Sequence, residues 1–121
     1  MVLSRVLTAI GATGLLFLSW RAFSQPREAA RAFGVALPEN GAPTPYMHVK
    51  ADRDATFGAL LLVVAKYADP RTLRAVMLCS SINPLVDAAI VARHGKANDT
   101  IVHLSTAVYI FGTAWLAGSG R

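Results

Sequence analysis

The chain has 121 residues, of which 54% are hydrophobic and only 16% are charged. Soluble domains average about 45–50% apolar and about 25% charged residues, so this composition argues against an ordinary soluble domain. The net charge of +5 does not indicate nucleic-acid binding, because the cations flank apolar runs instead of alternating with aromatic residues.

Four apolar runs, separated by polar breaks, dominate the sequence. They approach the ~20 residues that a helix needs to cross a bilayer. We therefore predict one all-α domain, a four-helix transmembrane bundle, with spans over about 2–23, 52–67, 73–92 and 100–117. The last three spans are joined by only a few residues, so neighbouring helices should run antiparallel. The predicted location is multi-pass in a membrane, the cell membrane if the source is bacterial.

The first run, residues 2–23, also has the pattern of a secretory signal peptide. No small-residue cleavage site follows it cleanly, and we predict an uncleaved span. In the next stretch, SQPREAARAFG, Ser24 is a candidate cap, Pro26 suits a first turn and Gly34 suits an end. These signals predict a short helix over about 25–33 that lies at the membrane surface.

Residues 35–50 contain three prolines and are predicted to form a long loop between the first two spans. After the second span, Asp69 and Pro70 are suited to be the cap and first residue of the next helix. Gly95 is a natural stop for the third span, and Asn98 or Asp99 is predicted to cap the fourth.

Cys79 is the only cysteine, so the chain has no internal disulfide and no cysteine metal motif. Cys79 lies in an apolar run and is predicted to pack inside the protein. Four residues have side chains of the right type for a metal site but lack a tight ligand spacing, namely Asp54, Asp87, His94 and His103. We predict no metal and no other cofactor.

Polar groups converge on one side of the predicted bundle. Asp87 lies six residues before Arg93, roughly 9 Å inside the end of the third span. His103 lies five residues after Asn98, roughly 7 Å inside the start of the fourth. The second span begins on this same side with Arg53 and Asp54. Because a carboxylate in a membrane normally has a partner, we expect Asp87 to meet His103, with Arg53 nearby.

Further polar residues extend this cluster along the two helices. Asn83 and Asp87 are four apart and share a helix face, and His94 is predicted to fall on that face as well. Pro84 removes a backbone donor and frees the carbonyl of Ser80, which should line a cavity or be satisfied by a neighbour. Thr106 continues the polar stripe that His103 begins. Tyr109, in contrast, is predicted to be an interface anchor.

The segments ADRDATFG, at the start of a span, PLVDAAIVARHG, and the His103-Leu104 pair are similar to those of a family of small membrane proteins, domain of unknown function 4267. The resemblance runs from about Ala32 to Leu116. It implies four membrane helices, with an Arg-Asp pair, an Asp and a His at Arg53, Asp54, Asp87 and His103. The family name implies no activity.

Two functions fit these residues. The first is an acid–base enzyme that isomerises, cyclises or opens an epoxide of a small lipophilic substrate. Its predicted catalytic residues are Asp87 as base, His103 as acid or orienting partner, and Asp54; its predicted ligand-binding residues are Arg53, Asn83, His94 and Thr106. The second is a non-catalytic binder, carrier or accessory subunit in which Asp87 and His103 form a structural lock. Membrane lipids, a lipophilic ligand and a second copy of the chain are the expected partners, and nucleic acid is not.

Overall fold

A computed structural model describes residues 1–34 and 45–119. All regular structure in these two ranges is helical. The elements are α1 Val2–Ser24, α2 Pro26–Phe33, α3 Pro45–Tyr67, α4 Pro70–Ser80, α5 Ile82–His94 and α6 Ala97–Gly118. Most of the loop predicted over 35–50 lies outside the described residues. Its last part is helical, because α3 begins at Pro45 and not at the predicted residue 52.

Three helical segments in the described ranges are long and apolar enough to cross a membrane. They are α1, the segment Pro70–His94 that joins α4 and α5, and α6. The predicted second span corresponds to α3, which is long enough but is not among them. Any stretch of α3 that could reach across a bilayer includes the four charged residues Lys50, Asp52, Arg53 and Asp54.

The segment Pro70–His94 is interrupted at Ser81, which separates α4 from α5. Pro84 is buried just after this interruption. A proline inside a helix has no N–H to donate, and its ring displaces the carbonyl four residues earlier, here that of Ser80. The hydroxyls of Ser80 and Ser81 donate to the carbonyls of Val76 and Leu78, at 2.7 and 2.6 Å. The break is therefore accompanied by local polar contacts within the segment.

Helices α1 and α3 pack closely and run antiparallel. Small residues make this possible: Ser4, Thr8, Ala12, Ser19 and Ala22 form the buried face of α1. On α3, a Cβ added at Gly58 would stand only 3.0 Å from the Ala12 carbonyl oxygen. The Ser19 hydroxyl also donates to the Ala51 carbonyl at 2.6 Å. Small residues that let backbones approach are the usual means of helix association in membranes.

Arg5 joins the beginning of α1 to the end of α3. Its guanidinium donates to the carbonyls of Ala65, Lys66 and Ala68 at 2.6, 2.9 and 2.6 Å. The last carbonyls of a helix have no partner within the helix and carry partial negative charge. Arg5 satisfies three of them at once and so fixes the register of the pair.

Helix α6 packs against both α4 and α5. Arg74, near the start of α4, lies beside Gly118 at the end of α6, so these elements are antiparallel. A core cluster joins them to the α1–α3 pair; its buried members are Ala12, Leu61, Leu73, Met77, Ala114 and Ala117. Helix α2 is held in a second cluster, in which Ala30 packs with Ala22, Met47 and Ala51.

Several sequence predictions about helix ends and packing can be checked directly. Asp69 caps α4, and Gly34 ends α2 with a φ of 96°, so both predictions are confirmed. The predicted cap at Ser24 is wrong, because α1 continues through Ser24. The predicted cap at Asn98 or Asp99 is also wrong, because α6 begins after Lys96. Cys79 is exposed on the outside of α4 and is not a packing residue.

Candidate functional site

A cavity of about 260 Å³ lies between the helices, and all six of them contribute to its wall. The cavity is apolar at one end, where Leu15, Leu61, Met77 and Ile110 belong to the main core cluster or pack against it. Each of α1, α3, α5 and α6 also contributes polar lining residues. The charged or ionisable ones are Arg21, Lys50, Arg53, Asp54, Asp87, His103 and Tyr109. The cavity thus has an apolar end and a more polar end.

Asp54 is buried, with 7% of its surface exposed. Lys50, one helical turn earlier on α3, donates directly to its carboxylate, and both side chains are largely shielded from solvent. Arg53 lies further away, with its Nε atom 3.8 Å from Asp54 Oδ1. The predicted catalytic carboxylate Asp54 is therefore already neutralised by an ion pair, which suits it to holding Lys50 in place.

Asp87 is placed differently. Its side chain lines the cavity and is half-buried, and it makes no hydrogen bond or ion pair with any residue in the described ranges. His103, Lys50, Arg53 and Asp54 lie within electrostatic range of it. An ionisable side chain within a membrane helix usually has a direct partner. A carboxyl group that faces a cavity without one is a candidate for contact with a ligand.

His103 does not pair with Asp87, contrary to the expectation. Its Nε2 atom lies 3.0 Å from the carbonyl oxygen of Phe33, at the end of α2. The two rings also meet edge to face, with centroids 4.6 Å apart. A carbonyl oxygen can only accept a hydrogen bond, so Nε2 carries a proton. In the neutral ring, Nδ1 is then the nitrogen with a lone pair, and it is the atom that can accept a proton.

The remaining predicted ligand-binding residues separate into two groups. Asn83 and Thr106 line the cavity, although the Thr106 hydroxyl also donates to the Val102 carbonyl at 3.1 Å. His94 does not line it and is exposed at the end of α5.

The lining residues that were missing from the predicted site include Lys50, Phe33, Arg21 and Tyr109. Lys50 could have been found from its spacing of four residues before Asp54, had α3 been predicted to begin at Pro45. Phe33 reaches the cavity because α2 folds back against α3, whereas Arg21 reaches it from the last turn of α1. Tyr109 was predicted to be an interface anchor, but its hydroxyl donates to the Leu7 carbonyl at 2.5 Å and its ring lies against Gly11.

Metal-ligating side chains do not cluster in the part of the chain that the structure describes. No three His, Cys, Asp or Glu residues in residues 1–34 and 45–119 are close enough together to hold one ion. Among the described residues, the cavity is lined by cationic side chains, two carboxylates and one imidazole.

The fold and the cavity define a class: a small all-helical protein with helices able to cross a membrane and a cavity that is polar at one end. The chain belongs to the family described as Domain of unknown function (DUF4267), whose model matches residues 12–117. The resemblance seen in the sequence is thereby confirmed. Comparisons with curated proteins and with solved structures return no match.

Proposed function

We propose that this protein is a multi-pass membrane protein that binds a small lipophilic molecule in the cavity and transfers a proton to and from it. The observation that carries the proposal is the half-buried Asp87, which faces the cavity without a hydrogen-bond partner in the described ranges. The apolar lining near Leu15 and Met77 supports a lipophilic ligand, because apolar walls with a few convergent polar groups are typical of small-molecule sites.

In this proposal α3 is the fourth membrane span, antiparallel to α1. Its charged first half can be accommodated because Asp54 is buried and its Lys50 partner faces the cavity. Polar side chains in membrane helices are tolerated when they face the interior and are paired. The apolar second half of α3, from Leu60 to Val63, exposes three large side chains that suit contact with lipid.

The structure favours different roles for the acid and the base from those predicted from sequence. We assign the base to Nδ1 of His103, because the Phe33 carbonyl holds the proton of the ring on Nε2. Asp87 lies in electrostatic range and stabilises the imidazolium that forms. An isomerisation fits this pair: a C–H bond breaks as Nδ1 takes the proton, the proton on Nδ1 exchanges with water, and Nδ1 returns a proton to form a new C–H bond elsewhere on the ligand. No co-reactant is required.

The test is native mass spectrometry of the purified protein, followed by incubation in deuterated water. We expect a lipophilic molecule to co-purify and to gain deuterium at carbon in the wild-type protein. His103→Gln and Asp87→Asn should abolish this exchange, whereas the control His94→Gln should retain it, because His94 is exposed outside the cavity. Exchange that survives in both cavity variants would exclude this chemistry.

A second function, binding without catalysis, is favoured by one contact. His103 is bonded to the Phe33 carbonyl and packed against its ring, so its role could be to hold α2 over the cavity. In that case a molecule still co-purifies, but it gains no deuterium in any variant. The same experiment therefore separates a binding protein from an enzyme.

A further inference from the structure

The cationic side chains of the cavity lead to an inference about the ligand, which rests on the proposed function. The described lining residues include three cations, Arg21, Lys50 and Arg53, and two carboxylates, Asp54 and Asp87. Lys50 and Asp54 neutralise one another directly. This leaves two guanidinium groups and one carboxyl group to interact with whatever enters the cavity.

Arg21 is the most informative of these groups. It is half-buried and lines the cavity, and it has no hydrogen bond or ion pair with any residue in the described ranges. Its position in the last turn of α1 suits a cation, because the carboxyl end of a helix is partially negative. The helix dipole does not account for a side chain that lies along a cavity wall. Desolvating a guanidinium without a partner is unfavourable, so an anionic partner is expected there.

Arg53 has donor capacity left as well. Its only ionic contact is at 3.8 Å through Nε, which leaves the terminal nitrogens without a protein partner among the described residues. Guanidinium groups bind carboxylates and phosphates with two parallel hydrogen bonds. The remaining carboxylate, Asp87, lies in electrostatic range of the cationic Lys50 and Arg53 and of His103.

We infer that the ligand is a single-chain lipophile with an anionic head, held by Arg21 and Arg53, with its apolar chain directed toward Leu15, Met77 and Ile110. The volume of about 260 Å³ is slightly below the ~300–1,000 Å³ of most small-molecule sites, which argues against a lipid with two chains. A carboxylate and a phosphate offer the same anionic chemistry, and the experiment distinguishes them.

The experiment measures displacement of a fluorescent fatty-acid analogue from the full chain in a neutral detergent. The competitors share one alkyl chain: dodecanoate, dodecyl phosphate, dodecanol and dodecylammonium, at a pH well above the carboxylate pKa. We expect one or both anions to bind at least about tenfold more tightly than dodecanol. Arg21→Gln and Arg53→Gln should reduce anion affinity several-fold and leave dodecanol unaffected. Arg31→Gln is the matched control, because Arg31 is exposed on α2 and pairs with Glu28.

Each outcome has a distinct meaning. Preference for one anion over the other identifies the head as carboxylate or phosphate. If dodecanol or dodecylammonium binds as tightly as the anions, the anionic head is wrong, but binding of a lipophile in the cavity stands. If no alkyl compound displaces the probe from wild type, both the inference and the proposed function are overturned.

Discussion

His103 and Phe33 are joined by two contacts, a hydrogen bond from Nε2 to the Phe33 carbonyl at 3.0 Å and an edge-to-face ring contact at 4.6 Å. Lys50 makes a third contact, with its ammonium 5.1 Å from the centre of the Phe33 ring. Phe33 thus connects the end of α2 to both α3 and α6 at the polar end of the cavity. The stability of α2 should therefore depend on His103.

His103→Leu is expected to increase amide hydrogen exchange in α2. The substitution removes the donor to Phe33 and the polar ring edge, a loss of about 1 kcal/mol for the hydrogen bond alone. His103→Gln retains a donor and should have a smaller effect. His94→Leu is the control, because His94 is exposed. Unchanged exchange in α2 in the His103→Leu protein would show that α2 is held without this contact.

Arg5→Gln is expected to lower the melting temperature of the protein in detergent by several degrees. Arg5 donates to three carbonyls at the end of α3, and hydrogen bonds from a charged donor contribute roughly 1.5–3 kcal/mol. Arg5→Lys should restore little of this, because an ammonium cannot reproduce the fork of a guanidinium. Arg93→Gln, an exposed arginine at the end of α5, serves as the comparison and should melt like wild type.

Local chemistry in the sequence was sufficient for Pro26 and Gly34 of α2 and for the cap of α4, because these residues act through their immediate neighbours. It was not sufficient for the predicted cap at Ser24, because α1 continues through that residue. The start of α3 was misplaced because apolar residues begin at Ala55, whereas the helix begins at Pro45. Hydropathy shows where the apolar part of a helix begins. The helical backbone can begin several residues earlier.

Alternating helix direction was enough to place Arg53, Asp87 and His103 at one end of the molecule. It could not specify which pairs are in direct contact. His103 is satisfied by a backbone carbonyl of α2, and no residue pattern signals a backbone acceptor. The orientation of α2 over the cavity, which brings in Phe33, is a non-local property of the packed chain.

Gly58→Ala is expected to destabilise the protein by about 1–3 kcal/mol, the usual cost of overpacking a close contact. The added Cβ would stand 3.0 Å from the backbone oxygen of Ala12 and 3.0 Å from Leu16 Cγ, so α1 and α3 would have to separate. Gly112→Ala is the matched control, because nothing lies within 4 Å of a Cβ at Gly112. Equal melting temperatures for the two variants would contradict this description of the interface.

The stability of the protein should fall in acid partly through Asp69, which lies outside the helical segments that are able to cross a membrane. The Thr72 hydroxyl, the Thr72 amide and the Arg71 amide donate to its carboxylate and lower its pKa. A lowered pKa in the folded state stabilises the fold above the unfolded pKa of about 3.9, and this contribution is lost as pH falls through the folded value. Asp69→Asn should therefore flatten the decline of melting temperature below about pH 4. Asp52→Asn, at an exposed carboxylate of α3, should not.

Asp54 and Asp87 line the same cavity, yet their substitution should have opposite effects on stability. Asp54→Asn removes the charge partner of Lys50 in a buried site, and breaking such a pair usually costs about 3–5 kcal/mol. Asp87→Asn removes a half-buried charge with no hydrogen bond in the described ranges, so the melting temperature should stay the same or rise. The measurement is thermal unfolding of both variants in the same detergent. If Asp87 and His103 form a structural lock instead, Asp87→Asn should lower the melting temperature. If the Asp87→Asn protein is stable but no longer retains its lipophile, Asp87 serves ligand binding and lowers the stability of the folded protein.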